Sequence, residues 1–425
     1  MRVLVYPGTE DCLNLGDVAM AQVAVRRLQT LWPGGLVQVF TDNPGALEEH
    51  CPGAMPVPLD GLRFWANRRA LLGRACELLP AAASRKLVHL RERMRRKWPV
   101  MLAAAMRAGL RLRGDRKDPV GAFWGAVAGV DVVVACGQAS LTDAAPIEAR
   151  QLLGLAELAL SMGKPIALFG QGVGPLEHPE LREQTRTVLR QARLITLREG
   201  TFGPAILESL GVGPERVLVT GDEAIEVSYN SGVQPQENGI GVNVRLSRGA
   251  GLTEEVLPVL REALLEMARS YRARLIAVPI SLHHSGTNDA EALRKLLERD
   301  SLDRLAEIRN PMHVIRQVAR CRVLITGAYH AAVFALSQGI PAVCLAKSAF
   351  FGNKFRGLAD QFGCGCELVF ADRDLAAALR NAVDRAWRNA DSVRAPLQRA
   401  AAQQVVKARQ AYTRLAEDVP KPHAA

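Results

Sequence analysis

Apolar residues fall along the chain in two alternating rhythms. Short runs rich in β-branched residues, such as RVLVYP, LVQVFTD, DVVVACG, PIALFG, LITLRE and RVLVTG, alternate with stretches such as DVAMAQVAVRRLQTLW and EARQLLGLAELALSMG, whose apolar positions recur every three or four residues. The short runs predict buried strands and the longer periodic ones predict helices packed on them. Their alternation predicts a parallel, doubly wound sheet with helices on both faces. The pattern lapses at NSGVQPQENG, Asn230 to Gly239, a turn-rich segment that reads as a linker. It then resumes with GIGVNVR, a helix through EEVLPVLREALLEMARSY, RLIAVPISLHHSG, helices at EALRKLLE and HVIRQVA, RVLIT, a helix through AAVFALSQ, AVCLA, a helix from about Asn353, and ELVF. The expected fold class is α/β, with two doubly wound Rossmann-like domains over 1–230 and 239–395 and a C-terminal helix and tail over 396–425.

Composition changes this picture in one place. A chain of 425 residues with 48% apolar content can bury two cores. The net charge of +11 is not spread evenly: residues 61–118 hold 16 Lys and Arg against 4 Asp and Glu, and the rest of the chain holds 38 against 39. The protein is therefore a near-neutral body with one basic helical insert. That insert mixes Arg with Leu, Trp and Met at helical spacing, which speaks against a nucleic-acid domain. It predicts either a face for an anionic membrane surface or a solvated helical hairpin whose Arg stems cover apolar neighbours. No stretch of roughly 18 apolar residues suggests a spanning helix. The opening run MRVLVYPGTED reads as a strand rather than a signal peptide, so a cytoplasmic location, peripheral to the inner face of a membrane if the insert binds one, is expected. Eight scattered cysteines without CxxC pairs, and the absence of HExxH spacing, suggest reduced thiols and no metal site.

Candidate chemistry lies where strands end. In NLGD, Asn14 offers an amide to a substrate hydroxyl and Gly16 permits a tight approach, while a turn followed by Asp17 as the cap of the next helix is the favoured reading of Gly16 and Asp17 taken singly. Two further loops after apolar runs supply Gln138 and Asp143, from GQASLTD, and Gln171, from GQGVGP; Asp143 could orient or deprotonate a hydroxyl. No GxGxxG, GxxxxGK[ST] or GxSxG is present at these loops, which excludes the usual nucleotide and serine-hydrolase signatures. The second half carries cations at successive strand ends: Arg245 after GVNV, His283 and His284 after AVPIS, His330 at the start of a helix, and Lys347 and Lys354 around the loop after AVCLA. Such a collar suits a small, multiply charged anion such as a phosphorylated carboxylate. His330, beside unpaired helix N–H groups, could bond a phosphate oxygen or supply a proton.

Taken in order, NLGDVAM, GQASLTD, PIALFGQGVGP, ITLREGTFGPAILESLGV, VTGDEAIEV, GVNVR, the HH...ND segment and ITGAYHAAVFALSQGIPAV resemble the polysaccharide pyruvyl transferase family. The resemblance implies a GT-B-like fold and transfer of a pyruvyl group from phosphoenolpyruvate, a co-substrate rather than a bound cofactor, to two hydroxyls of a sugar in a glycan or lipid-linked precursor. It puts His330 on the histidine of the Arg-x-His element associated with the donor, and Asn14, Gly16 and Asp17 on the acceptor-side loop. The sequence departs from the family at Ala328, where the arginine of that element is expected, and at Cys136-Gly137-Gln138, where a GGG loop is usual. Two other readings remain: a nucleotide-sugar glycosyltransferase, with Glu367 or Asp372 gripping a ribose, and a family member that binds a sugar or anion without turnover.

Overall fold

The apolar runs become two all-parallel sheets. The structure is a computed structural model, and it describes residues 1–70, 79–137, 139–233, 238–246, 252–283, 288–297, 299–302, 305–372 and 374–419. The first sheet comprises Arg2–Tyr6 (β1), Leu36–Phe40 (β2), Met55–Val57 (β3), Val132–Cys136 (β4), Ile166–Gln171 (β5), Leu194–Leu197 (β6) and Val217–Val219 (β7), in the order β3-β2-β1-β4-β5-β6-β7. The second comprises Gly239–Asn243 (β8), Leu275–Ala277 (β9), Cys321–Thr326 (β10), Ala342–Ala346 (β11) and Cys366–Phe370 (β12), in the order β12-β11-β10-β8-β9. Of these, only β3, MPV with a proline between its two apolar residues, has no counterpart in the apolar rhythm.

Each sheet reverses its winding direction once, between β1 and β4 in the first and between β8 and β10 in the second. At such a reversal the connecting loops diverge and leave a crevice outside the strands' carboxyl ends. Backbone hydrogen bonds tie the two sheets together there: Leu15 N–H donates to the Ile280 carbonyl at 3.0 Å and Leu282 N–H to the Leu13 carbonyl at 2.8 Å.

The helix Leu375–Asp418 ties them again from behind. Its 44 residues extend about 66 Å at 1.5 Å per residue. Leu379 and Val383 join the core of the second sheet, while the Tyr412 ring stacks on Phe169 of β5 at 4.0 Å. A division of the chain at 395/396 falls inside this continuous helix. Among the described residues no helix is long and apolar enough to cross a membrane.

The basic insert is helical, with Asp60–Ala66, Ala81–Lys97 and Pro99–Leu112. Its anchor is polar as well as apolar. Trp65 is buried and its indole N–H donates to the Gly154 carbonyl. Arg91 donates to Glu92 at 2.6 Å and to the Trp65 carbonyl at 2.7 Å, and Arg95 donates to Glu92 at 2.8 Å and lies 2.7 Å from Glu157. Arg91 and Arg95 are both buried. The insert thus has an inward charged face that neither sequence expectation included.

Candidate active site between the two sheets

The loops at the two reversal points face one another across a cavity of about 1320 Å³. At its floor two helices start opposite each other. Leu15–Leu31 begins after β1 and Tyr329–Ser337 begins after β10. Asn14, not Asp17, caps the first: its Oδ1 accepts from Gly16 N–H at 3.2 Å and Asp17 N–H at 3.5 Å. The Asn side chain precedes the first turn and can fold back on it, whereas Asp17 already lies within the helix. Asp17 is released to face the second helix.

His330 sits where these elements meet. A Cβ built at Gly16 would lie 2.0 Å from His330 Cγ, so the imidazole occupies the space that glycine leaves. His330 Nδ1 is 3.7 Å from Asp17 Oδ1, and Nε2 is 3.7 Å from Asp222 Oδ2. The ring therefore lies between two carboxyl groups. Burial pushes the His330 pKa well below the usual imidazole range, and the charges of Arg198, Lys354 and Arg245 push it the same way. Burial raises Asp17 to about 7, against the pull of Arg245, with Asp222 adding to the rise. Burial also raises Asp222, although the Arg198 charge opposes it. The floor thus pairs a histidine that burial disposes to be neutral with a carboxyl group raised towards the neutral range, a pairing suited to proton transfer.

The cationic wall is assembled from both sheets. Arg245 follows β8 and is held by Asp289 at 3.3 Å; Asp289 is itself buried, accepting from the Ile280 and Ser281 N–H groups at 2.9 Å each. Lys354, on the helix Ala349–Phe362, has its ammonium 4.0 Å from the Phe350 ring centroid. Its pKa falls well below the usual lysine range through burial and the Arg198 charge. Arg198, just beyond β6, lies with its guanidinium carbon 4.4 Å over the Tyr329 ring. The guanidinium that Ala328 does not provide is thus present in the same cavity, carried by the first sheet and stacked on the residue next to Ala328.

Not every expected residue arrives here. His283 lines the cavity but bridges its walls, with Nε2 3.4 Å from Asp11 and Nδ1 2.7 Å from Ser281 Oγ. Lys347 is exposed outside the cavity. Asp143 turns to the Glu177 and His178 N–H groups, at 2.5 and 3.2 Å, and fixes that loop. Gln171 is the last residue of β5 and is buried, its amide N–H donating to the Phe169 carbonyl at 2.9 Å. Neither Asp143 nor Gln171, both expected on the acceptor side, lines the cavity. Gln138 and His284 lie outside the described residues. Arg198 and Asp222 escaped notice in the sequence, yet both stand just past strand ends, in LITLRE and VLVTGD, where the same rule that selected Arg245 would have selected them.

The family model for polysaccharide pyruvyl transferase matches residues 14–348. No curated protein sequence matches. Among solved structures, UDP-GlcNAc 2-epimerase from Methanocaldococcus jannaschii is similar at a TM-score of 0.54 and 12% identity, over 96% of this chain and 99% of that one. The Neisseria meningitidis UDP-GlcNAc 2-epimerase bound to UDP-GlcNAc gives 0.54 and 11%, over 98% and 99%. The glycotransferase of kitacinnamycin gives 0.52 and 14%, over 99% and 98%. At such identities the likeness carries the fold alone: the GT-B arrangement of two Rossmann-like sheets around a cleft.

Proposed function

The chain belongs to the polysaccharide pyruvyl transferase family, and from that premise we propose that it transfers a pyruvyl group from phosphoenolpyruvate to two hydroxyls of one sugar. The observation that carries this reading is the gathering of Arg198, Arg245, Lys354 and His330 around one cavity. Burial depresses both Lys354 and His330, and the repulsion among these cations pushes the same way. An anion with a phosphate and a carboxylate relieves that repulsion and restores the proton to His330.

In this reading one sugar hydroxyl gives its proton to Asp17 as its oxygen attacks C2 of the donor. His330 delivers a proton to C3, turning the methylene into a methyl group. Asp17, 3.7 Å from the imidazole, returns the hydroxyl proton to it. A second hydroxyl then displaces phosphate from C2, and its proton leaves with the phosphate. Asp222 orients the ring from the far side, and Tyr329 supports Arg198.

The nucleotide-sugar reading is weaker because its two carboxylates are elsewhere. Glu367 is paired with Arg385 at 2.6 Å, and neither it nor Asp372 lines the cavity. The test is phosphate release from phosphoenolpyruvate across a panel of sugar and sugar-diphosphate acceptors. We expect acceptor-dependent release that falls on the order of 100-fold in His330→Gln, as for a lost proton donor. Donor binding without release across the panel favours the binding-only reading, and sugar transfer from a nucleotide sugar overturns the pyruvyl one.

A further inference from the structure

The cavity has a second cationic wall that the donor reading leaves unused. It is formed by the turn after Asp60–Ala66, the helix Ala81–Lys97 and the helix Pro146–Ser161, which contribute Arg68, Arg69, Arg85, His89 and Arg150. Pairing on this wall is incomplete. Arg68 and His89 share one carboxylate, Glu180, at 2.8 and 3.6 Å. Among the described residues Arg69, Arg85 and Arg150 have no salt bridge, and Arg150 is half-buried beside Arg68. Leaving a partly buried guanidinium unpaired is costly, and an anion in the cavity removes that cost. We propose that Arg69, Arg85 and Arg150 bind a phosphate or diphosphate group carried by the acceptor, so that the substrate is a sugar linked through phosphate and not a neutral chain end. The acceptor's fate rests on the pyruvyl reading; the anion site does not.

The experiment is calorimetric titration of the full chain with inorganic pyrophosphate, with uridine diphosphate and with farnesyl diphosphate, each with and without saturating phosphoenolpyruvate. Pyrophosphate is expected to bind alongside phosphoenolpyruvate, and to weaken roughly tenfold or more in Arg69→Gln/Arg85→Gln/Arg150→Gln while phosphoenolpyruvate affinity is unchanged. The surface pair Arg69→Gln/Arg85→Gln gives the same reading if replacing Arg150 impairs folding. Tighter uridine diphosphate supports a nucleotide-linked acceptor and tighter farnesyl diphosphate a lipid-linked one. Competition between pyrophosphate and phosphoenolpyruvate, or unchanged binding in the variants, overturns the site. Arginine-dependent pyrophosphate binding without phosphoenolpyruvate binding leaves the site standing and removes the donor reading.

A separate observation concerns the outer face of the same insert. Of the eleven exposed large apolar side chains among the described residues, six lie between 79 and 112: Leu79, Leu90, Trp98, Val100, Met101 and Leu112. Lys86, Leu90, Arg93 and Lys97 form one exposed stripe at helical spacing, and Trp98, Val100 and Met101 follow at the corner between the two helices. The only acidic residue between 81 and 112 is Glu92, and it is buried against Arg91 and Arg95. Glu180 and Glu183 of the helix Pro179–Leu189 line the groove on one side of Arg93 and Lys97, but the segment itself joins exposed apolar side chains to cations with no exposed carboxylate of its own, which matches an anionic bilayer surface. We infer that this corner docks on such a surface. Co-sedimentation with phosphatidylglycerol-phosphatidylcholine vesicles should be lost in Trp98→Ser/Met101→Ser, weakened by Lys86→Glu/Arg93→Glu, and reduced by salt. Absence of binding to these vesicles, or equal binding to pure phosphatidylcholine, overturns the inference.

Discussion

Gly16 is defined by what it lacks. The His330 ring fills the place of its side chain, so any Cβ there must displace the imidazole from between Asp17 and Asp222. Gly16→Ala should therefore cut phosphate release on the order of 100-fold, as small displacements of catalytic groups do. Alanine suits a helix better than glycine, so the local helix itself gains; rescue of turnover in a second variant without the ring, His330→Ala/Gly16→Ala, would contradict this account. A second buried carboxyl governs stability. Glu223 accepts from Tyr412 Oη at 2.5 Å, and burial raises its pKa from 4.5 to about 8. A carboxyl held protonated in this way contributes stability that is complete below about pH 4.5 and is lost as the pH rises through about 8. The melting temperature should fall across that window, and Glu223→Gln should flatten the fall; a pH profile unaltered in the variant contradicts the assignment. Asn14, Asp17, Arg245, His330 and Lys354 were legible in the sequence because each follows a recognisable strand. Asp143 and Gln171 carried the same signal but point to backbone groups, and no pattern in the sequence reports which way a loop side chain turns.

At the scale of elements, the insert is held by charge as much as by apolar packing. Glu92 lies between Arg91 and Arg95, and removing it leaves two buried guanidinium groups short of a partner. Glu92→Gln should cost about 3–5 kcal/mol, the usual consequence of breaking a buried ion pair. Calorimetric unfolding would measure the loss, and a change below about 1 kcal/mol, typical of an exposed pair, would show the network to be peripheral. Strands were the most legible elements because β-branched runs between turn residues have few alternatives. The helices Pro44–His50 and Ala224–Tyr229 were not legible, since seven or six residues fall short of two full turns and show no period. The insert's helical character and its mixture of cations with apolar residues were legible, but not the inward-turned Arg91 and Arg95, because partners such as Glu157 are distant in sequence.

For the molecule as a whole, the fold was legible from the repeated strand-helix rhythm and its single interruption, which together require two sheets. The cleft composition was not, because the donor wall draws Arg198 from the first sheet and Arg245 and Lys354 from the second, and only the docking of the sheets unites them. This docking makes the central claim testable by one measurement: calorimetric titration with phosphoenolpyruvate near neutral pH, in buffers of different ionisation enthalpy, on the wild type, Arg198→Ala and Lys354→Ala. Because His330 and Lys354 are depressed in the free protein, binding of the anion should raise them and draw protons from the buffer. Binding with net proton uptake, lost in Arg198→Ala and reduced in uptake in Lys354→Ala, is the predicted result. Absence of binding, or binding that is indifferent to Arg198, would contradict the account.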